Sequence, residues 1–379
     1  MLKLAHYLTR TGLAVLLAAG TLACSNSNGP TDPDPDPDPG PQAATLSGDI
    51  TANRTLAADT AYTIVGFVQV QAGSTLTIPA GTVLLSDNAS RGSLITNRCT
   101  DDQPSGRLVI QGTAADPVRF RPAGNGPFQR NQAAGIILHG CAPINVPGGS
   151  ASSEGTGLPF GGDDPGDDSG SIRYLTIEFG GRQIAPDNEI NGLTMSGVGS
   201  GTVIENVQAH FIGDDGFEWF GGTVNGRFLV SSGNDDDAFD CDFGWSGTVQ
   251  FLFAIQDRNR SNRGVECDND ANGSENVPLT NPSVWNATWV GAGVVRANSE
   301  VNDGLYLRRN INGTFRNLVV TNYGNAGVVF DGSGVWNHVL AGTLVLDNAL
   351  FFGNQCLESP AACGGTEAVR NIVRRTSEG

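Results

Sequence analysis

Three short stretches of this chain spell one pattern at nearly one interval. They are Asp215-Gly216-Phe217-Glu218-Trp219, Asp237-Ala238-Phe239-Asp240-Cys241 and Arg263-Gly264-Val265-Glu266-Cys267, stepped by 22 and then 26 residues. Each runs small residue, apolar residue, carboxylate, then apolar residue or cysteine. Strand-like alternation recurring at this length is the signature of coils stacked on coils. Successive side chains of a strand point to opposite faces. Phe217, Phe239 and Val265 are therefore expected inward, with Glu218, Asp240 and Glu266 in one outward column.

The register extends in both directions. Gly192-Leu193-Thr194-Met195, Gly304-Leu305-Tyr306-Leu307 and Gly327-Val328-Val329-Phe330 continue it, so the full set of intervals is 24, 22, 26, 40 and 23. The step of 40 holds a polar insertion, Asp268 to Pro282, read as a loop thrown out from one coil. A second marker reads as a second strand in each coil, keeping step with the first. It is Gly201-Thr202-Val203, then Gly222-Thr223-Val224, Gly247-Thr248-Val249, Gly313-Thr314-Phe315 and Gly342-Thr343-Leu344. Upstream, alternating runs at Tyr62 to Val70, Thr75 to Ile78, Thr82 to Leu85, Leu108 to Gln111, Val118 to Phe120, Gly135 to Leu138 and Ile172 to Phe179 read as short strands, with no helix. The stretch Asn145 to Ser169, rich in Gly, Ser, Pro and Asp, reads as a long excursion or as disorder. The expected fold is all-β: a right-handed, single-stranded parallel β-helix, a solenoid that buries its core between neighbouring coils. A propeller is disfavoured, because its blades repeat at about 40 to 50 residues.

The chain opens on a targeting segment, residues 1–23, with Lys3 and Arg10 ahead of an apolar run, Gly12 to Ala23, too short to span a membrane as a helix. Thr21-Leu22-Ala23-Cys24 resembles the lipobox of bacterial lipoproteins, with Thr21 where that pattern carries Leu. The resemblance implies lipidation of Cys24 and a membrane anchor. Ser25 after it implies the outer membrane, facing either the periplasm or the cell surface. An ordinary signal peptide with a chance cysteine is the alternative. Residues 24–43 contain the Asp-Pro repeat from Asp32 to Pro39, a disordered, extended spacer. The folded domain is then residues 44–379.

Six cysteines remain after Cys24, an even number in an exported chain. The register sets Cys241 beside Cys267, about 4.8 Å apart on neighbouring strands and inside bridging reach. Cys356 and Cys363 can close a local loop, and Cys99 and Cys141 pair by elimination; some of the six staying as buried thiols is the alternative. The net charge is −17 and Lys3 is the only lysine, so no basic stripe exists to neutralise phosphates and a nucleic-acid partner is excluded.

Two outward columns follow from the register: Thr194, Glu218, Asp240, Glu266, Tyr306, and, two residues on, Ser196, Phe220, Asp242, Asp268, Arg308. Asp214-Asp215 and Asp235-Asp236-Asp237 add acid in the preceding turns. Such a cluster must find cations, share protons or splay apart. One reading is a solvated face balanced by Arg258, Arg260, Arg263 and Arg308. A second is calcium held by oxygen ligands, Glu218, Asp240, Asp242, Glu266 and Asp268. A third is catalysis by paired carboxylates, with Asp240, Asp242 and Glu266 as candidates: residues two apart on a strand face lie about 7 Å apart, near the separation of inverting glycosidases. Trp245, in a turn after the columns, and Tyr306 are candidate ligand-binding aromatics.

The coil pattern resembles the pectin-lyase-like superfamily of parallel β-helices. Gly213-Asp214-Asp215-Gly216-Phe217-Glu218-Trp219-Phe220-Gly221-Gly222-Thr223, and Asn234 through Asp240 to Gly244-Trp245-Ser246-Gly247, resemble a group of bacterial secreted lipoproteins of undefined activity, over about residues 75 to 330. The superfamily includes calcium-dependent polysaccharide lyases, which use an Arg or Lys base, so the resemblance makes Arg308 a catalytic candidate. The motifs of its polygalacturonases are not found as such. The expected function is an outer-membrane-anchored surface lipoprotein that binds polysaccharide or another surface partner, with calcium. A lyase or hydrolase, and a structural assembly protein, are the alternatives.

Overall fold

The computed structural model describes residues 42–185, 188–293 and 301–358. The targeting segment, Cys24, the Asp-Pro repeat and Cys363 lie outside the described residues. The first strand, Gln42–Ser47, starts two residues ahead of the expected boundary.

Two parallel sheets of ten and fourteen strands carry the fold. In the ten-stranded sheet the six reference strands stack in the expected register: Leu193 pairs with Phe217, Phe217 with Phe239, Phe239 with Val265, Val265 with Leu305 and Leu305 with Val328. These side chains form a continuous buried ladder. Phe217 and Phe239 stack at 5.4 Å and 16°. One residue on, Glu218, Asp240, Glu266 and Tyr306 are aligned on the opposite side of the same strands. Parallel stacking leaves no choice: equivalent residues of consecutive coils sit in line.

The fourteen-stranded sheet is turned midway by one residue per coil in the left-handed region. The column is Tyr174, Asn206, Phe228, Phe251, Asn286, Asn317 and Asn348, with φ between 49° and 59°. Pairing skips these residues and resumes on both sides of them. Asn tolerates this backbone, and Asn317 donates to Asn286 at 3.0 Å along the corner. Phe228 and Phe251 do not suit it, and each carries strain on the order of 1–3 kcal/mol.

Several expectations need correction. The second marker does not keep step: Val203 pairs with Asn225 rather than Val224, because the glycine-threonine pair precedes the strand by a varying number of residues. Gly66, at φ 65°, splits the run from Tyr62 to Val70 into Thr60–Val65 and Phe67–Val70. Among the described residues one helix occurs, Ser333–Ala341, between two late strands; Val335 is buried and Trp336 and Val339 pack half-buried against the core, a stripe of barely two turns that the strand reading passes over. The Asn145 to Ser169 excursion is ordered. It carries a hairpin of Ala151–Ser152 with Pro159–Phe160, and Phe160 packs on Phe220 and Phe243. The Asp268 to Pro282 insertion folds back to meet it, with Asn145 donating to the Asn269 carbonyl at 2.6 Å.

Two disulfides match the expected pairs: Cys241–Cys267, with Cα atoms 4.6 Å apart, and Cys99–Cys141. Cys356 is disulfide-bonded, while Cys363 lies outside the described residues. The Cys241–Cys267 sulfurs sit in the inward ladder beside Trp219, closing a loop of 26 residues. Selective loss of this bridge, in a Cys241→Ala, Cys267→Ala double variant, is expected to cost on the order of 3 kcal/mol in denaturant unfolding. An unchanged midpoint would contradict it. At the corner, Asn317→Ala is expected to cost about 1–2 kcal/mol, by losing both an Asn in the left-handed region and its bond to Asn286.

Candidate metal centre

The acidic face is built from two columns. The first is the expected one of Glu218, Asp240 and Glu266. The second is Asn191, Asp215, Asp237 and Asp303, each two residues before an inward ladder residue. Its side chains have a structural duty. Asn191 Oδ1 accepts the amide of Asp215 at 3.3 Å, Asp215 Oδ1 that of Asp237 at 2.8 Å, and Asp237 Oδ1 that of Arg263 at 2.7 Å. Asp303 repeats the bond to the amide of Ala326 at 3.0 Å. Each side chain thus satisfies a turn amide that strand pairing leaves unpaired. The signal in the sequence is an Asn or Asp ahead of a Gly or Ala and an apolar residue, a role beyond the added charge expected of these acids.

Stacking brings these columns together. Carboxylate oxygens of Asp215, Glu218 and Asp240 lie within 4.8 Å of one another, as do those of Asp237, Asp240 and Glu266. Asp240 belongs to both groups, and its carboxylate makes no hydrogen bond among the described residues. A third group, Asp214, Asp215 and Asp236, adjoins the first. Of the five expected metal ligands, the structure therefore groups Glu218, Asp240 and Glu266 and adds Asp215 and Asp237. Asp242 and Asp268 stand outside. Asp268 is held by Arg308 at 2.7 Å and Arg309 at 2.9 Å, and Asp242 accepts the amide of Phe243 at 2.5 Å.

The columns were expected in open water, and this needs correction. Glu218 is 7 % exposed and Glu266 5 %, with Asp215 and Asp237 also buried. The excursion brings Glu154 close enough to act on Asp214 and Glu218 electrostatically. Burial, then the neighbouring carboxylates, push the carboxyls of Asp215, Glu218, Asp237 and Asp240 well above the usual range. Burial raises Asp242 to about 7. Arginine compensates at one end only: Arg263 pairs with Glu266 at 2.5 Å, and Arg308 with Glu266 and Asp268. The Glu218 carboxylate accepts a bond from Asn191.

Of the two candidate aromatics, Trp245 is buried and Tyr306 half-buried. Trp245 is 2 % exposed and stacks on Trp219 at 4.5 Å, so it is core rather than a sugar platform. Its turn folds inward because its indole N–H donates to the Val224 carbonyl at 3.1 Å. The Tyr306 ring lies under the guanidiniums of Arg263 and Arg308, at 4.3 and 5.1 Å, and its hydroxyl donates to Asp331. Arg308 is held protonated by the two carboxylates beside it, its pKa raised further still.

The donors of the two groups are all oxygen, on a scaffold fixed by main-chain bonds, and Asp215 and Asp237 each commit one oxygen to an amide. This set fits a hard divalent cation, and six to eight oxygen ligands is the habit of calcium. The described residues thus have the geometry to hold a metal ion, and nothing in the geometry specifies which.

No curated protein matches the chain in sequence. Among solved structures, the Dettilon tailspike protein is similar at 14% identity with a TM-score of 0.23; the match covers 78% of this chain and 60% of that one. A family model described as pectate-lyase like β-helix domain matches residues 48–374. By that match and by its stacked parallel sheets, the chain belongs to the pectate-lyase-like β-helix family.

Proposed function

We propose that this chain is a surface protein that binds polysaccharide or another surface partner through a calcium-loaded acidic face, tethered by lipid on Cys24 at the outer membrane. The observation that carries the calcium reading is the pair of three-carboxylate groups sharing Asp240. Buried carboxylates that repel one another need protons or a cation, and an exported protein meets calcium outside the cell. The bound ion would turn a repulsive face into one that accepts acidic or hydroxyl-rich glycans. Binding is favoured over a lyase reaction because Arg308, the candidate base, is locked as a cation by Glu266 and Asp268. A second reading keeps an enzyme: Asp242, at about 7, is poised for proton transfer near neutral pH beside Asp240.

Two outcomes test this. Without metal, the raised carboxyls hold protons in the folded state that the unfolded chain has lost, so stability falls as pH rises. For Asp242 the window runs from about pH 4 to about pH 7. Melting in chelator is expected to drop across that window, and calcium is expected to restore it, since the ion binds the folded state alone. Asp240→Asn with Glu266→Gln is expected to abolish the calcium response. A melt indifferent to calcium would leave a proton-sharing face.

The second test is a panel of acidic and neutral polysaccharides, with and without calcium. Calcium-dependent retention without turnover is expected. Turnover that vanishes in Asp242→Asn would establish the enzyme instead.

A further inference from the structure

Beyond the corner residues, the outer side of the fourteen-stranded sheet presents two columns over its last five coils. They are Val230, Phe253, Thr288, Val319 and Leu350, and Ser232, Ile255, Val290, Thr321 and Phe352. None of these ten positions is charged, in a chain of net charge −17. Four are large apolar side chains open to solvent: Phe253 39%, Ile255 46%, Leu350 56% and Phe352 51%. The corner adds Phe228 and Phe251, 42% and 44% exposed, with rings stacked at 4.9 Å and 6°. These two keep a strained backbone where Asn serves the neighbouring coils, and the core gains nothing from rings that stay in water.

The face has limits on both sides. Across the corner runs a polar column, with Arg227 paired to Glu205 and Arg316 to Asp347 at 3.4 Å. In the preceding coils Arg119 pairs with Glu178 at 3.0 Å, and His210 follows Glu178 in register. An apolar centre inside a polar rim is the anatomy of a protein–protein interface.

We infer that this uncharged sheet face, centred on Phe253 and Ile255, is where a second copy of the chain docks. Three considerations select that occupant. A glycan needs dense hydrogen-bonding groups, and the face offers three hydroxyls, of which Ser232 is already engaged by Gln208 and His210. Two copies of a chain at −17 repel each other, least where their contact carries no charge. A flat sheet face related by a two-fold axis meets its own complement, and sheets pack face to face at about 10 Å. Five strands about 4.8 Å apart, two residues wide, fall short of the roughly 800 Å² per partner of a standard interface, so the dimer is weak and concentration-dependent. The acidic groups lie on the other sheet and stay free, so a dimer carries one full set from each copy.

Sedimentation of the chain over micromolar concentrations tests this. A monomer–dimer equilibrium is expected, and added salt is expected to tighten it by screening the repulsion. Phe253→Glu with Ile255→Glu is expected to weaken it at least tenfold, and Phe352→Glu at the far end of the face to weaken it as well. Thr248→Glu with Gln250→Glu adds the same charge across the corner and is expected to leave most of the association. All these side chains point outward, so the variants are expected to melt with the parent. A parent that stays monomeric at high salt overturns the proposal, even if it captures a different protein. So does a dimer indifferent to Phe253 and Ile255, or one lost equally with the control pair.

Discussion

Main-chain hydrogen bonding between successive coils places each residue in line with its equivalent in the coils before and after, at about 4.8 Å. Everything else in this molecule answers to that spacing. Apolar residues benefit: Phe217 stacks on Phe239, its equivalent in the next coil. Cysteines come within bonding distance, as Cys241 and Cys267 do. Asn side chains chain together at the corner. Carboxylates are forced on one another, and Glu218, Asp240 and Glu266 cannot relax apart without breaking the ladder. The backbone imposes the repulsion, and a proton or a cation must remove it.

The turn acids explain why the repulsion persists. Asp215 and Asp237 each hold the amide of the next coil, so replacing them with apolar residues would orphan a buried N–H. Asn does the same work at Asn191 without charge. The fold therefore has a neutral solution at hand, yet it carries Asp at the two positions of this column whose carboxylates group with Asp240.

The inward ladder was legible because period-2 alternation and a constant coil length are local features of sequence. The Cys241–Cys267 bridge came with the same register. The burial of Glu218 and Glu266 was not legible. Glu218 is met by Asn191 and by the field of Glu154 from the excursion, and Glu266 by Arg263 and Arg308, contacts that no local pattern announces. The corner was missed for another reason: a lone Asn in a strand reads as a loop, and Phe228 and Phe251 occupy the same backbone position without resembling it. Trp245 misled because a Gly-Trp-Ser turn looks exposed, whereas its indole crosses back to Val224 and the core.

The acidic groups and the uncharged face occupy different sheets of one coil, so recognition and self-association need not compete. The central claim is that Asp240 bridges two cation positions. Crystals grown with a calcium-like lanthanide, measured for anomalous scattering, test it most directly. The account predicts density about 2.3–2.6 Å from Asp240, shared with Asp215 and Glu218 or with Asp237 and Glu266. Carboxyl groups bonded to each other through shared protons, with no anomalous density between them, would contradict it.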